Sequence, residues 1–310
     1  MRALVVDPTA PSRLRLGEAP DPVPGPGQVL IEVRHSSLNS AELFFAERSE
    51  PGTVLGFDAS GIVLASAADG GGPSVGSRVV SFADGGGWAE RRAVDAIDVA
   101  VVPDLVDLGV AATLPVAAGT ALRALEQAGP ITGRRVLVTG ASGGVGSFAV
   151  QLAAIGGAHV IASVGSAASG GGLTELGAAE VVIGLAGMHE PVDVVIDLVG
   201  GPQLVAAYGL LSSGGSVQSV GWASGEAAAF PPGATLGRPN PTSITSVYNG
   251  AGLTDRRRQL QVLLDLLASG RLRAQVGWRG PWEGIDEAVT ALSSRVLRGK
   301  AVLDVVARSA

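Results

Sequence analysis

Four glycines, Gly140, Gly143, Gly144 and Gly146, stand between an apolar β-branched run, Val136 to Thr139, and a helical pattern from Ser147 to Ile155. A second apolar run, His159 to Val164, closes the unit. A strand that enters a glycine turn and leaves as a helix can hold a phosphate. Glycine lets the backbone approach closely, and the free N–H groups and dipole at the helix start favour negative charge. Strand, glycine turn, helix and strand within about thirty residues is the arrangement expected of a dinucleotide-binding unit. The spacing here is G-x-x-G-G-x-G rather than G-x-G-x-x-G, so on these residues alone plain strand–helix packing stays open as an alternative.

The elements that would position this turn alternate from Arg135 onward. Apolar runs recur at Val181 to Ile183, Val192 to Leu198, Ser216 to Val220 and Ser243 to Tyr248, separated by glycine turns and helical stretches such as Leu204 to Leu211. Repeated βαβ units of this kind imply a parallel sheet covered on both faces. No Asp, Glu, Lys or Arg occurs between Arg135 and Glu175, which would also suit a membrane span. Glycines interrupt the run near its start and again at Gly156 and Gly157, leaving no unbroken stretch of roughly 20 apolar residues. A buried parallel strand pair with its crossover helix accounts for the run instead, and no membrane partner is expected.

The N-terminal third reads as short strands among Gly- and Pro-rich turns: Ala3 to Val6, Gln28 to Arg34, Gly61 to Ala65, Arg78 to Phe82 and Trp88 to Val94. Helical patterns follow at Leu108 to Leu114 and Ala117 to Gln127, then at Asp255 to Ala268 and near Gly284 to Ser294. A last strand, Ala301 to Val306, is expected to return to the N-terminal β domain. The length of 310 residues suits two domains. A net charge of −6 provides no basic footprint for nucleic acid, and the cluster Arg256-Arg257-Arg258 is expected on a solvated helix face. The first residues lack a sustained apolar segment, so a cytoplasmic location is expected. The chain has no cysteine, which excludes disulfides and thiolate zinc sites. His35, His159 and His189 show no ligand spacing, and His159 is expected as a hydrogen-bonded histidine in a buried strand. No metal is predicted.

Taken in order, several segments resemble the zinc-independent branch of the medium-chain dehydrogenases/reductases, the quinone oxidoreductase or zeta-crystallin-like group. They are Leu38-Asn39, Gly56 to Val63 (GFDASGIV), Gly76 to Val80, Gly86 to Glu90, Ala112 to Leu125 (ATLPVAAGTALRAL), Gly140 to Gly146, Asp193 to Gly201 (DVVIDLVGG) and Gly299 to Leu303. The resemblance covers essentially the whole chain. It implies an α/β protein with a GroES-like, mostly-β catalytic domain (1–116 and 250–310) and a Rossmann domain with a doubly wound parallel sheet for the cofactor (117–249). Zinc-dependent relatives would read G-H-E where this chain has Gly56-Phe57-Asp58, and would carry a cysteine lobe. Without a Lewis acid, oxidation of simple alcohols is not expected. Reduction of a quinone or an enone by NADPH, in a homodimer, is what the resemblance implies.

The same resemblance assigns expected roles. Asn39 would orient nicotinamide and substrate, and Thr120 would sit beside the nicotinamide. Ser142, Gly143, Gly144, Val145 and Gly146 would hold the pyrophosphate. Val220, Gly221 and Trp222 would follow the fifth Rossmann strand close to the nicotinamide, and Val247 and Tyr248 would lie on the last strand, near the carboxamide. At the adenosine end no acidic residue follows the second strand, which argues against NAD. Ser163 and Ser166 would donate to a 2′-phosphate, yet no Lys or Arg except Arg238 occurs between Arg135 and Arg256, and Leu185 replaces the family's tyrosine. A charge-assisted contact contributes about 1.5–3 kcal/mol, so losing one would weaken binding roughly ten- to a hundredfold. Glu42 would serve as proton donor if burial raises its pKa, or would only order the loop. Three readings follow: an NADPH-dependent quinone or enone reductase; an enoyl reductase or cyclase of secondary metabolism, suggested by the altered loop at Ser40; and a catalytically silent nucleotide-binding homologue, suggested by the thinned adenosine pocket.

Overall fold

The protein is described here from a computed structural model covering residues 1–236 and 239–305. Arg238 and Val306 lie outside these residues. The chain divides into two units, Met1–Gly119 together with the chain from Gly250, and Thr120–Asn249.

The first unit opens with an antiparallel pair, β1 (Arg2–Val6) and β2 (Leu14–Glu18). β3 (Gln28–Leu38) follows, and its alternate residues Val29, Ile31 and Val33 turn inward, the period-two pattern of a half-buried strand. The helix α1 (Ser40–Ala46) starts at once, then β4 (Asp58–Ala65), β5 (Arg78–Phe82), β6 (Arg91–Asp95), β7 (Val99–Val101) and α2 (Leu108–Ala111). A π-helical turn, Leu114–Ala118 with Pro115 in its first turn, leads into α3 (Gly119–Ala128). The expected pair of helices is thus a nearly continuous helical run. Leu108–Ala128 is long and apolar enough to cross a membrane, but two-thirds of its apolar window is already buried inside the protein, as in a core helix.

The second unit continues with β8 (Arg135–Thr139), α4 (Gly144–Ile155), β9 (His159–Val164), β10 (Glu180–Ile183), β11 (Val192–Asp197), α5 (Gly201–Gly209), β12 (Leu211–Ser219) and β13 (Ser243–Ser246). These strands form one parallel sheet in the order β10-β9-β8-β11-β12-β13, so the chain reverses direction across the sheet between β8 and β11. Ligands in such sheets bind at the carboxyl ends of the strands beside that reversal. Leu137, Ile161, Val195, Leu204 and Val217 form part of the core. His159 stands at the exposed start of β9 and pairs with Glu180 at 2.5 Å, so it is a surface histidine rather than the buried one expected. The rest of β9, Val160 to Val164, is buried throughout.

The chain then returns to the first unit through α6 (Arg256–Ala268), β14 (Val276–Pro281), α7 (Ile285–Ser293) and β15 (Lys300–Asp304). The large sheet there has the order β14-β15-β3-β4-β5-β7, with β6 also on β3. β15 runs antiparallel to β3, with Ala301 opposite Leu38. Leu4, Leu14, Leu38, Trp88, Trp282 and Leu303 pack together beneath it. Arg256 departs from the solvated face expected: it is almost completely buried, bonds Asp98 at 2.8 Å and lies over the Phe82 ring. Burial raises the Asp98 carboxyl despite that pairing.

β3 and β4 approach so closely that a Cβ on Gly61 would lie 1.9 Å from the Glu32 carbonyl oxygen. Gly61→Ala is expected to cost about 1–3 kcal/mol through the forced backbone shift. Thermal denaturation checks this, and an unchanged midpoint would refute it.

Candidate active site

In the first unit the antiparallel register brings the ends of three strands together: Leu38 of β3, Asp58 of β4 and Lys300 of β15. Lys300 Nζ donates to the Leu38 carbonyl oxygen (2.7 Å) and to Asn39 Oδ1 (2.5 Å), and lies 3.7 Å from Asp58 Oδ2. Asn39 Nδ2 donates to Asp58 Oδ2 at 2.9 Å, and Ser37 Oγ donates to the same oxygen at 2.6 Å. Asp58 Oδ1 accepts from the Val116 N–H at 2.9 Å, where the π-helical turn passes. Beside them Arg92 donates to the carbonyl oxygens of Gly56, Ala83 and Gly85 and to Ser81 Oγ.

These groups are interior: Glu42 and Asp58 are 0% exposed, Arg92 2%, Lys300 3% and Asn39 8%. Two carboxyls and two cations share the site, which a protein interior tolerates only when charges are paired and hydrogen-bonded. Burial, then the nearby Asp58 charge, pushes the Glu42 carboxyl up to about 8, against the two N–H bonds it accepts. Burial likewise lowers Lys300 and brings Arg92 down to about 10.

Glu42 sits at the third position of α1. Its Oε2 accepts from the Asn39 N–H (2.7 Å) and its Oε1 from the Phe57 N–H (2.6 Å). Both oxygens are therefore engaged with backbone and none is presented to a ligand. Of the two roles considered for Glu42, its bonds fit the loop-ordering one, because the buried side chain ties the Asn39 and Phe57 N–H groups. Phe44, Phe45, Phe57 and Phe82 form a row of rings with successive centroids 5.7, 5.9 and 6.0 Å apart, running from the exposed Phe44 to the buried Phe82. Phe44 and Phe45 are about half exposed.

In the second unit Gly140 adopts a left-handed φ of +60°, and a Cβ on Gly146 would lie 2.3 Å from the Gly140 carbonyl oxygen. Both positions therefore require glycine. Helix α4 starts at Gly144, earlier than the side-chain pattern from Ser147 suggests, because the first turn carries glycines that hydrophobic periodicity cannot register. Its N-cap is Gly143, which has no side chain to cap the helix. The N–H groups of Gly144, Val145 and Gly146 have no acceptor among the described residues. An uncapped helix start flanked by Ser142 and obligatory glycines fits a pyrophosphate.

The other expected cofactor residues are placed less uniformly. Ser163 is buried, its hydroxyl donating to the Gly184 carbonyl oxygen (3.2 Å) and accepting from Gln203 (3.3 Å), so it is turned into the sheet. Ser166 is exposed and bonded to Ser169 at 2.9 Å. Val220 and Gly221 both donate N–H groups to the Asp197 carbonyl oxygen. Trp222 is half exposed, with its indole against the positive-φ Gly200 and its Nε1 on the Glu226 carbonyl oxygen. Val247 donates to the Ser219 carbonyl oxygen, and Tyr248 is exposed just beyond β13.

Sequence reasoning did not single out two supports. Asn249 Nδ2 donates to Thr120 Oγ1 at 2.9 Å, fixing the threonine. Asp197, fully buried at the end of β11, accepts from Thr139 Oγ1 (2.7 Å) and the Gly200 N–H (2.9 Å), and burial raises its carboxyl. An acid closing the apolar run Val194 to Ile196 was the available signal for Asp197; Asn249 carried none. Lys300, the only lysine, was quoted within a motif but given no role. For a metal the residues do not fit: no group of three His, Asp or Glu gathers among the described residues.

A GroES-like half and a parallel nucleotide-binding half define the alcohol-dehydrogenase class of two-domain oxidoreductases. Residues 25–104 match the alcohol dehydrogenase GroES-like domain, and residues 176–303 match a domain described as zinc-binding dehydrogenase. The chain is similar to quinone oxidoreductase-like protein 2 of Bos taurus, 30% identical over 90% of this chain and 85% of that protein. It therefore belongs to the quinone oxidoreductase family of medium-chain dehydrogenases/reductases. It is also similar to a trans-enoyl reductase of Aspergillus terreus, 35% identical over 45% of this chain and 54% of that protein. The chain thus spans about half the length of that enzyme in the match. A mycobacterial protein solved in complex with NADPH superposes with a TM-score of 0.86 at 28% identity, covering 98% of this chain and 100% of that one.

A carboxyl with a raised pKa stabilises the fold while protonated. For Glu42 that contribution is complete below the ordinary value of 4.5 and is lost as pH rises through about 8. Denaturant titrations are expected to show lower stability near pH 9 than near pH 6, and a flatter profile for Glu42→Gln. Equal slopes in the two proteins would refute the assignment.

Proposed function

We propose that the protein is an NADPH-dependent, zinc-free reductase of quinones or activated enones. The observation that carries this reading is the uncapped glycine turn of α4, joined in the same chain to an asparagine locked by buried charges. The bound nicotinamide supplies the hydride. An enone gains it at carbon, its π electrons move onto the carbonyl oxygen, and a proton from solvent completes the reduction. A quinone becomes the hydroquinone by gaining the hydride and one proton from solvent, so no dedicated acid is required. Gly144, Val145 and Gly146 would hold the pyrophosphate with their N–H groups, and Thr120, fixed by Asn249, would contact the nicotinamide together with Val220 to Trp222, Val247 and Tyr248. The row from Phe44 to Phe82 suits a flat, apolar acceptor.

The preference for NADPH over NADH is supported by the lack of an acid after β9, where Gly165 and the exposed Ser166 follow Val164. With Ser163 turned inward, Ser166 is the serine left to meet a 2′-phosphate, so the preference is small. β13 ends its sheet among the described residues, and that edge position supports a homodimer formed by strand pairing. A cytoplasmic location accords with this reading.

The enoyl reductase reading is favoured by one observation, the similarity to trans-enoyl reductases. A panel of quinones, simple enones and enoyl thioesters separates the two. Oxidation of NADPH is expected with quinones and simple enones, whereas turnover of enoyl thioesters alone would move the assignment to the alternative. Isothermal titration is expected to show NADPH binding in the micromolar range, and loss of that binding with the fold retained in Gly143→Asp, whose carboxylate would cap α4 and repel the pyrophosphate. A silent homologue would bind NADPH and reduce nothing.

A further inference from the structure

Asn39 carries an amide whose two ends are chemically distinguishable in this site. Lys300 Nζ can only donate, so the amide atom 2.5 Å from it must be the oxygen. Ser37 and Asn39 both donate to Asp58 Oδ2, so the amide atom 2.9 Å from that carboxylate must be the nitrogen. Flipping the amide would set Nδ2 against an ammonium and Oδ1 against a carboxylate. Nδ2 has two hydrogens, and Asp58 takes one of them. The other has no partner among the described residues, and Asn39 keeps 8% of its surface open.

From this geometry we infer that Lys300 and Asp58 are positioning residues that turn Asn39 into a donor-only contact for the carbonyl oxygen of the hydride acceptor. The inference deepens the reductase reading and rests on it for the identity of the ligand. Its chemical consequence concerns selectivity. An acceptor carbonyl gains negative charge on oxygen as hydride arrives, and a fixed N–H aimed at that oxygen stabilises the change without reorganisation. An alcohol or hydroquinone O–H meets Nδ2 rather than Oδ1, because Oδ1 is directed at the buried Lys300. The contact therefore favours a ligand oxygen that accepts, above all one that gains negative charge as hydride arrives.

Charge does not dictate this role for Lys300 by itself; its place does. It is the only lysine in a chain with 21 arginines. Its compact ammonium reaches Leu38 and Asn39 from the buried side, where neither it nor Asp58 can touch a ligand.

Two measurements test the inference. In the wild-type protein, the side-chain amide of Asn39 is followed by 15N–1H spectroscopy, assigned by its disappearance in Asn39→Ser, during titration with 4-nitrophenolate as an oxyanion probe. One of the two Nδ2 protons is expected to move and the other, held by Asp58, to stay. Movement of both protons or of neither overturns the inference, and this readout needs no turnover. In parallel, Lys300→Met is expected to lose about a hundredfold in kcat for a quinone with the dissociation constant of NADPH unchanged, while Lys300→Arg, which keeps a cationic donor, retains more activity than Lys300→Met. A folded Lys300→Met with wild-type kcat overturns it, and if that variant does not fold, the wild-type spectra decide. A wild-type protein that reduces no acceptor yet shows the single-proton shift would sink the reductase reading and leave the donor geometry standing.

Discussion

Pairing of buried charge around Asn39 is the constraint on which the first unit depends. Asp58 and Lys300 are both within 3% of full burial and 3.7 Å apart, and either left unpaired would be costly by several kcal/mol. The equally buried Glu42 and Arg92 are met by backbone N–H and carbonyl groups. The sheet exists in a form that prevents this. β15 must pair with β3 in one register to deliver Lys300 to the Leu38 carbonyl oxygen, and β4 must pair with β3 in one register to place Asp58 under Ser37. A slip of one residue in either strand would turn the charged side chain to the opposite face. The ion cluster and the strand order therefore specify each other, and Asn39 inherits its orientation from both.

The second unit solves a different problem by leaving bonds unmade. Three N–H groups at the start of α4 lack partners among the described residues, and the residue before them is a glycine that cannot cap the helix. Such a helix start is less stable than a capped one and is suited to an anion. Support comes from below, where Thr139, Asp197 and Gly200 are tied together at the carboxyl ends of β8 and β11. That tie holds the strand ends beside the reversal in sheet order, so the turn is rigid although its donors are free.

Much of the architecture was legible in the residues because burial imposes periodicity. The parallel sheet followed from recurring apolar runs, and the return of the last strand to the N-terminal sheet followed from its isolation in sequence. The errors share one physical origin: local pattern does not report partners distant in sequence. Arg256 reads as part of a basic cluster, yet Asp98 and the Phe82 ring, far away along the chain, draw it inside. His159 lies in an apolar run but at the strand end, where alternation and solvent meet. Pro115 interrupts two helical patterns, while the backbone passes it with a π turn.

By itself the sequence determined the glycine turn, the order of strands and helices, the family resemblance, and the lack of cysteine and of histidine ligand spacing. Each of these is a property of residue type and near spacing. Only the tertiary structure decided that Ser163 faces inward, that Glu42 serves the backbone, and that Asn39 is held between Lys300 and Asp58. Those three residues are separated by 19 and 242 positions from Asp58 to each partner, and their meeting depends on strand register. Register is set by which side chains the interior can accept together, a condition that no single segment contains.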